Sequence, residues 1–355
     1  MEAVLSNKPP KWNYVDGCMM KAVLEMYYIT NDNKYLDFAD RFMDFYVGAD
    51  GGIFGYNPDD YNCDNINGGK ALISLYNITG KQKYKLAAES LYNQLKSHPR
   101  TSEGSFWHKK AYPYQVWLDG LYMVQPFYTE YEMNFNKGDS RDTVKQFDNV
   151  QRLMKDSKTG LFYHGYDESR ASSWADKSTG LSPNFWTRSL GWYAMALVDT
   201  LEKSEYVRQP LQTYLNEFAG ALLKASDESQ MFYQVTVCAG RPGNYLETSG
   251  TCAIAYTLMK GARLGYLPGF YFDRGSRIFD AAVNNKFIIS DNEFVLKDIC
   301  LSAGLGAAPG EVNYRFRDGS YEYYISEPVT ENDGKGVAPF MLAYAEKIRH
   351  KGNLL

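Results

Sequence analysis

The sequence predicts an all-α protein, a toroid in which helical hairpins repeat around a ring. Three observations carry that reading. Strand signals are weak while apolar side chains recur at helical spacing. Joints between helices repeat along the chain. Uniformly apolar helices also alternate with amphipathic ones, as an inner ring buried on every side and an outer ring buried on one side require.

The first apolar segment runs from Cys18 (CMMKAVLEMYYIT), and residues 34–47 follow with Leu36, Ala39, Phe42, Met43 and Tyr46 on one face. A second apolar segment begins at Lys70 (KALISLYNITG), and residues 83–95 then place Tyr84, Ala87, Ala88, Leu91 and Leu95 together. The joints match: Ile29-Thr30-Asn31-Asp32-Asn33-Lys34-Tyr35 parallels Ile78-Thr79-Gly80-Lys81-Gln82-Lys83-Tyr84, with Asn31 and Gly80 where a helix end takes a left-handed residue. Inner helices open near Asp16-Gly17, Asn67-Gly68, Asp119-Gly120, Leu190-Gly191, Ser249-Gly250 and Lys335-Gly336. Amphipathic outer helices are predicted at about 34–47, 83–96, 141–155, 206–225 and 270–286. A sixth outer helix should precede Trp12, where the short segment broken by Pro9 and Pro10 predicts an abbreviated one. No linker divides the chain, so residues 1–355 read as one domain. Ser302-Ala-Gly-Leu-Gly-Ala-Ala-Pro-Gly310 contains a G-x-G, but without a strand before it or a helix after it this reads as a loop near the barrel mouth.

Composition narrows the function classes. Aromatic residues make up 15% of the 355, with 30 Tyr, and the net charge is only -4. That excludes a disordered chain. No apolar run reaches the roughly 20 residues of a membrane span, and no signal peptide is evident at the start. The slightly acidic balance argues against nucleic acid as a partner. Five cysteines without C-x-x-C spacing, and four scattered histidines, fit reduced thiols and predict neither a metal centre nor a cofactor.

If the inner helices all run in one direction, their starts gather at one end. Trp12, Tyr14, Asp16, Asp64, Asn65, Tyr114, Gln115, Trp117, Asp119, Trp186, Arg188, Trp192, Tyr245, Glu247 and Asp333 then face a common funnel. Aromatic faces with a few carboxylates suit sugar rings, which stack through their C–H faces and hydrogen-bond at their edges. Each residue also has a plainer explanation: an Asp at a helix start commonly caps it, and Tyr14, Trp192 or Arg188 could serve packing and pairing alone.

Several segments resemble a known family. Phe106-Trp-His-Lys109, Tyr112-Pro-Tyr-Gln-Val-Trp-Leu-Asp-Gly-Leu-Tyr-Met123, Gly160-Leu-Phe-Tyr-His164, Trp174-Ala-Asp176, Gly180-Leu-Ser-Pro-Asn-Phe-Trp186 with Arg188, and Asn244-Tyr-Leu-Glu-Thr-Ser-Gly250 are similar to the unsaturated rhamnogalacturonyl hydrolases. These form glycoside hydrolase family 105, relatives of the unsaturated glucuronyl hydrolases. The likeness runs from about residue 11 to 345 and departs at the N-terminal helix and at residues 302–327, which read as a longer or divergent loop. The resemblance implies an (α/α)6 barrel and a substrate left by a pectin lyase, with a C4=C5 double bond in its non-reducing uronic acid. It places the acid/base on Asp119 and a second carboxylate on Asp64. Lys109 and Arg188 are then candidates for the substrate carboxylate, and Trp12, Tyr14, Gln115, His164 and Trp192 for the sugar site. The expected partner is an oligosaccharide, with no nucleic acid, no membrane and a monomer or weak homo-oligomer. A bacterial cytoplasm or periplasm is favoured over an extracellular location. Competing readings are an unsaturated glucuronyl hydrolase, another (α/α)6 enzyme on saturated sugars, and a non-catalytic helical scaffold.

Overall fold

The computed structural model describes residues 11–290, 293–306 and 317–352. Six inner helices are α1 (Tyr14–Thr30), α3 (Gly69–Thr79), α5 (Leu118–Tyr131), α7 (Thr187–Leu201), α9 (Thr248–Arg263) and α12 (Gly334–Gly352). Between them run the outer helices α2 (Asn33–Tyr46), α4 (Gln82–Ser97), α6 (Arg141–Leu153), α8 (Arg208–Ala225) and α10 (Phe270–Lys286). Each inner helix packs on the next, and α12 returns to α1 to close the ring. The fold is an (α/α)6 toroid. The expected helix ahead of Trp12 falls outside the described residues.

Burial separates the two rings as the patterning requires. Every residue of α7 is buried, whereas α2 buries only Ala39, Met43 and Tyr46. Asn31 and Gly80 end their helices with φ of 52° and 70°. Inner helices approach closely through small residues: a Cβ on Gly250 would lie 2.7 Å from the backbone of Thr187.

One reading needs correction. Residues 302–327, expected as loop, contain the helix α11 (Tyr321–Ser326), started by Ser320, whose hydroxyl accepts from the Tyr323 amide at 3.0 Å. Residues 302–306 are irregular, and Gly304 lies against the Trp117 ring; 307–316 fall outside the described residues. Short antiparallel pairs decorate the ring: β1 (Gln115–Trp117) with β2 (Gly165–Asp167), β3 (Phe287–Ser290) with β4 (Glu293–Leu296), and β5 (Ile299–Cys300) with β6 (Val329–Thr330).

Candidate active site

Backbone bonds stitch four separate segments together where α5 begins. The Cys63 amide donates to the His108 carbonyl at 3.0 Å, and the His108 amide to the Gln115 carbonyl at 2.7 Å. The β1–β2 pairing continues into a bond from the Leu118 amide to the His164 carbonyl at 3.1 Å. Residues far apart in sequence, Asp64, His108, Lys109, Asp119 and His164, are thereby brought to one end of the barrel.

Asp119 sits in the first turn of α5, yet makes no capping hydrogen bond to that helix. Its Oδ2 lies 3.2 Å from His164 Nε2. His164 is fully buried, and its Nδ1 is 2.7 Å from the Tyr324 hydroxyl. The other acids at helix starts behave differently. Glu247 caps α9, accepting from the Ser249 and Gly250 amides at 3.1 and 2.7 Å. Asp333 accepts from the Lys335 amide and pairs with its ammonium. Asp16 accepts from Asn13 and Tyr46 at 2.8 and 3.2 Å.

Asp64 pairs with Lys109 at 2.8 Å and stands 3.8 Å from His108 Nε2. Burial presses its carboxyl upward, but the Lys109 ammonium and then His108 outweigh that and hold it below the usual carboxylate range. Burial in turn pushes His108 down to about 4, so its ring is neutral at pH 7. The fields of both Asp64 and Asp119 reach His108 and Tyr14, which places the two carboxylates around the same space. Burial also raises the Tyr14 phenol well above its ordinary value, leaving it a hydroxyl.

Rings wall this space. His108 stacks on Trp117 at 4.4 Å, Trp117 on Tyr112 at 5.2 Å, and His164 tilts against Trp186 at 4.9 Å. Arg188 lies over Trp186 and donates to Ser249 and to the Cys300 carbonyl, while its Nε has no hydrogen-bond partner. Solvent reaches the side chains of Asp64 (13%), Asp119 (14%) and Lys109 (25%). Three expected sugar contacts stand further back. Gln115 accepts from Trp117 Nε1 at 3.0 Å and donates to Ser172, so it orients a wall residue. Trp12 donates to the Asn65 carbonyl at 2.7 Å and packs over Gly68. Trp192 is as buried as Trp186 and stacks on Tyr122 at 5.1 Å. Its place in the second turn of α7, below Arg188, puts it beneath the mouth.

The site residues that sequence reasoning left out are His108 and Tyr324, whereas Trp117 stood among the expected funnel residues. His108 lies within the quoted Phe106–Lys109 motif and could have been chosen from it. Tyr324 comes from the region read as divergent loop and carries no local signal.

Comparison with known proteins adds to this geometry. Residues 2–351 match the model of Glycosyl Hydrolase Family 88. A solved structure of a family 105 glycoside hydrolase from C. acetobutylicum ATCC 824 is 42% identical, with a TM-score of 0.90, covering 97% of this chain and 96% of that one. The chain belongs to glycoside hydrolase family 105. As a family 105 protein it is a hydrolase of the unsaturated uronyl group. The "24.9 kDa protein in picA locus" of Rhizobium radiobacter is 35% identical over 234 residues, 64% of this chain and 98% of that protein. The unsaturated rhamnogalacturonyl hydrolase YesR of Bacillus subtilis is 26% identical over 263 residues, 71% of this family 105 chain and 72% of that protein.

Proposed function

We propose that this enzyme releases the unsaturated uronic acid from the non-reducing end of rhamnogalacturonan fragments, by hydrating the C4=C5 double bond. The observation that carries the reading is Asp119: a carboxylate in a helix's first turn that caps nothing, faces His164 at 3.2 Å and remains reachable by solvent. In its acid form Asp119 gives its proton to C4 of the vinyl ether, leaving positive charge on C5 and the ring oxygen. The Asp119 carboxylate then takes a proton from the water that adds to C5. The hemiketal opens to a ketone at C5, and the hemiacetal left at C1 collapses, freeing the aglycone.

Asp64, kept ionised by Lys109, supplies negative charge where the cation develops. Because Lys109 is engaged with Asp64, Arg188 is the better partner for the substrate carboxylate, and its unpartnered Nε supports that role. YesR, the rhamnogalacturonyl hydrolase similar to this chain, supports the choice of aglycone.

The test is a panel of unsaturated disaccharides from rhamnogalacturonan, chondroitin and gellan, followed by the ultraviolet absorbance of the double bond. Loss of absorbance with rhamnogalacturonan disaccharide at a kcat/KM well above the other two is expected. Preference for chondroitin or gellan would move the assignment to a glucuronyl hydrolase. Activity only on a saturated glycoside would overturn it.

A further inference from the structure

The opposite end of the barrel holds a second cavity, of about 340 Å³. That is room for roughly ten waters at ~30 Å³ each. Apart from Lys70, which lies in the first turn of α3, its walls come from the middle and carboxyl-terminal turns of the inner helices, away from Asp119, and they are dominated by charge. Four of the cations lining it, Lys21, Lys203, Arg263 and Arg349, each meet a carboxylate: Lys21 meets Glu25 at 3.4 Å, Lys203 meets Glu130 at 2.9 Å, and Arg349 meets Glu25 at 2.9 Å. Arg263 pairs with Glu346 at 2.8 Å.

Lys70 is the exception. It is 5% exposed, and its Nζ donates to the Tyr122 carbonyl at 3.0 Å and lies over that residue's ring, with no carboxylate partner among the described residues. It occupies the first turn of α3, where the helix dipole disfavours a cation. Asp199, also in the wall and 1% exposed, accepts from Lys260 and Tyr256 at Oδ1, while its Oδ2 stands 3.6 Å from the Lys21 ammonium and accepts no hydrogen bond. A buried ammonium without a carboxylate partner and a carboxylate oxygen without a hydrogen bond thus share one cavity, and Lys70 lies within the field of Asp199.

We propose that this cavity binds a small hydroxylated carboxylate of the size of a sugar acid, its carboxylate on Lys70 and a hydroxyl donating to Asp199. A simple inorganic anion would answer Lys70 alone and leave Asp199 Oδ2 without a hydrogen bond. The neutral polar walls at Ser74 and Asn77 suit further hydroxyls. Burial pushes Lys70 down to about 7, with Cys18 and Asp199 raising it and Lys21 and Lys203 lowering it further. An anion on Lys70 favours the ammonium form, so binding takes up a proton and weakens as pH rises above 7.

The test is calorimetric titration of the full chain with D-galacturonate at pH 6 and pH 9, at constant ionic strength, with D-galactose, acetate and chloride as controls. Galacturonate should fill a site at pH 6, at least ten-fold more weakly at pH 9, with the controls weak or silent. Lys70→Met should lose this site, and Arg188→Gln should keep it; a site at Asp119 gives the reverse pattern. Lys70→Met should also raise Tm without ligand, because an uncompensated buried ammonium is removed. Equal binding by chloride or acetate, or unchanged galacturonate binding in Lys70→Met, would overturn the proposal.

Discussion

At Asp64 two opposing effects meet, and the balance between them sets the working state of the site. Burial favours the neutral acid, and Lys109 at 2.8 Å favours the carboxylate and wins. Lys109→Met leaves burial unopposed by that ammonium, so the Asp64 carboxyl rises. The acid limb of the kcat/KM profile should then move to higher pH, and a limb that stays in place would show that Asp64 ionisation is not required. Asp119→Asn should keep Tm and lose about 10²–10⁴-fold in turnover, the usual contribution of a positioned acid/base. Tyr324→Phe leaves the fully buried His164 without its Nδ1 partner, a change that costs about 1–3 kcal/mol. A denaturant midpoint reads that cost, and an unchanged midpoint would show that the contact carries no stability.

At the scale of the helices, close approach decides the geometry of the ring. Helices α7 and α9 meet through Gly191 and Gly250, where an added Cβ would crowd Ala253 and the Thr187 backbone. Gly250→Ala should therefore destabilise by about 1–3 kcal/mol. Gly269→Ala, at a position with open space, should stay within about 0.5 kcal/mol. Thermal melts of the two variants check both. The hairpins themselves were legible in the sequence because the 3.6-residue rhythm recurs and, in the first two, the inner helix ends at a left-handed residue, Asn31 or Gly80. What brings His164 to Asp119 was not legible: the pairing of β1 with β2 and the bond from Tyr324 join segments with no shared local pattern.

For the whole molecule, buried and half-buried ion pairs link the inner helices around the axis. Lys260 on α9 meets Asp199 on α7 at 2.8 Å, and Arg349 on α12 meets Glu25 on α1 at 2.9 Å. Burial raises the Glu25 carboxyl, but Lys21, Lys260 and Arg349 overcome it and lower the value from 4.5 to about 2. A depressed folded value stabilises the fold above the unfolded one and is lost as pH falls, here between 4.5 and about 2. Tm should therefore drop through that window, and Glu25→Gln should make the drop shallower. An equally steep drop in the variant would assign the acid sensitivity to other carboxylates. The aromatic richness of the chain belongs to this scale too. Tyr84, Phe127 and Phe147 fill the core among the helices, and only a few rings wall the site.

The central claim is that Asp119 protonates carbon, and a single reaction in D₂O tests it most directly. Unsaturated rhamnogalacturonan disaccharide is incubated with the enzyme, and early products are read by NMR alongside the ultraviolet absorbance. The mechanism predicts one deuterium at C4, loss of absorbance in step with aglycone release, and neither with Asp119→Asn. Release of the aglycone with the double bond intact would contradict it.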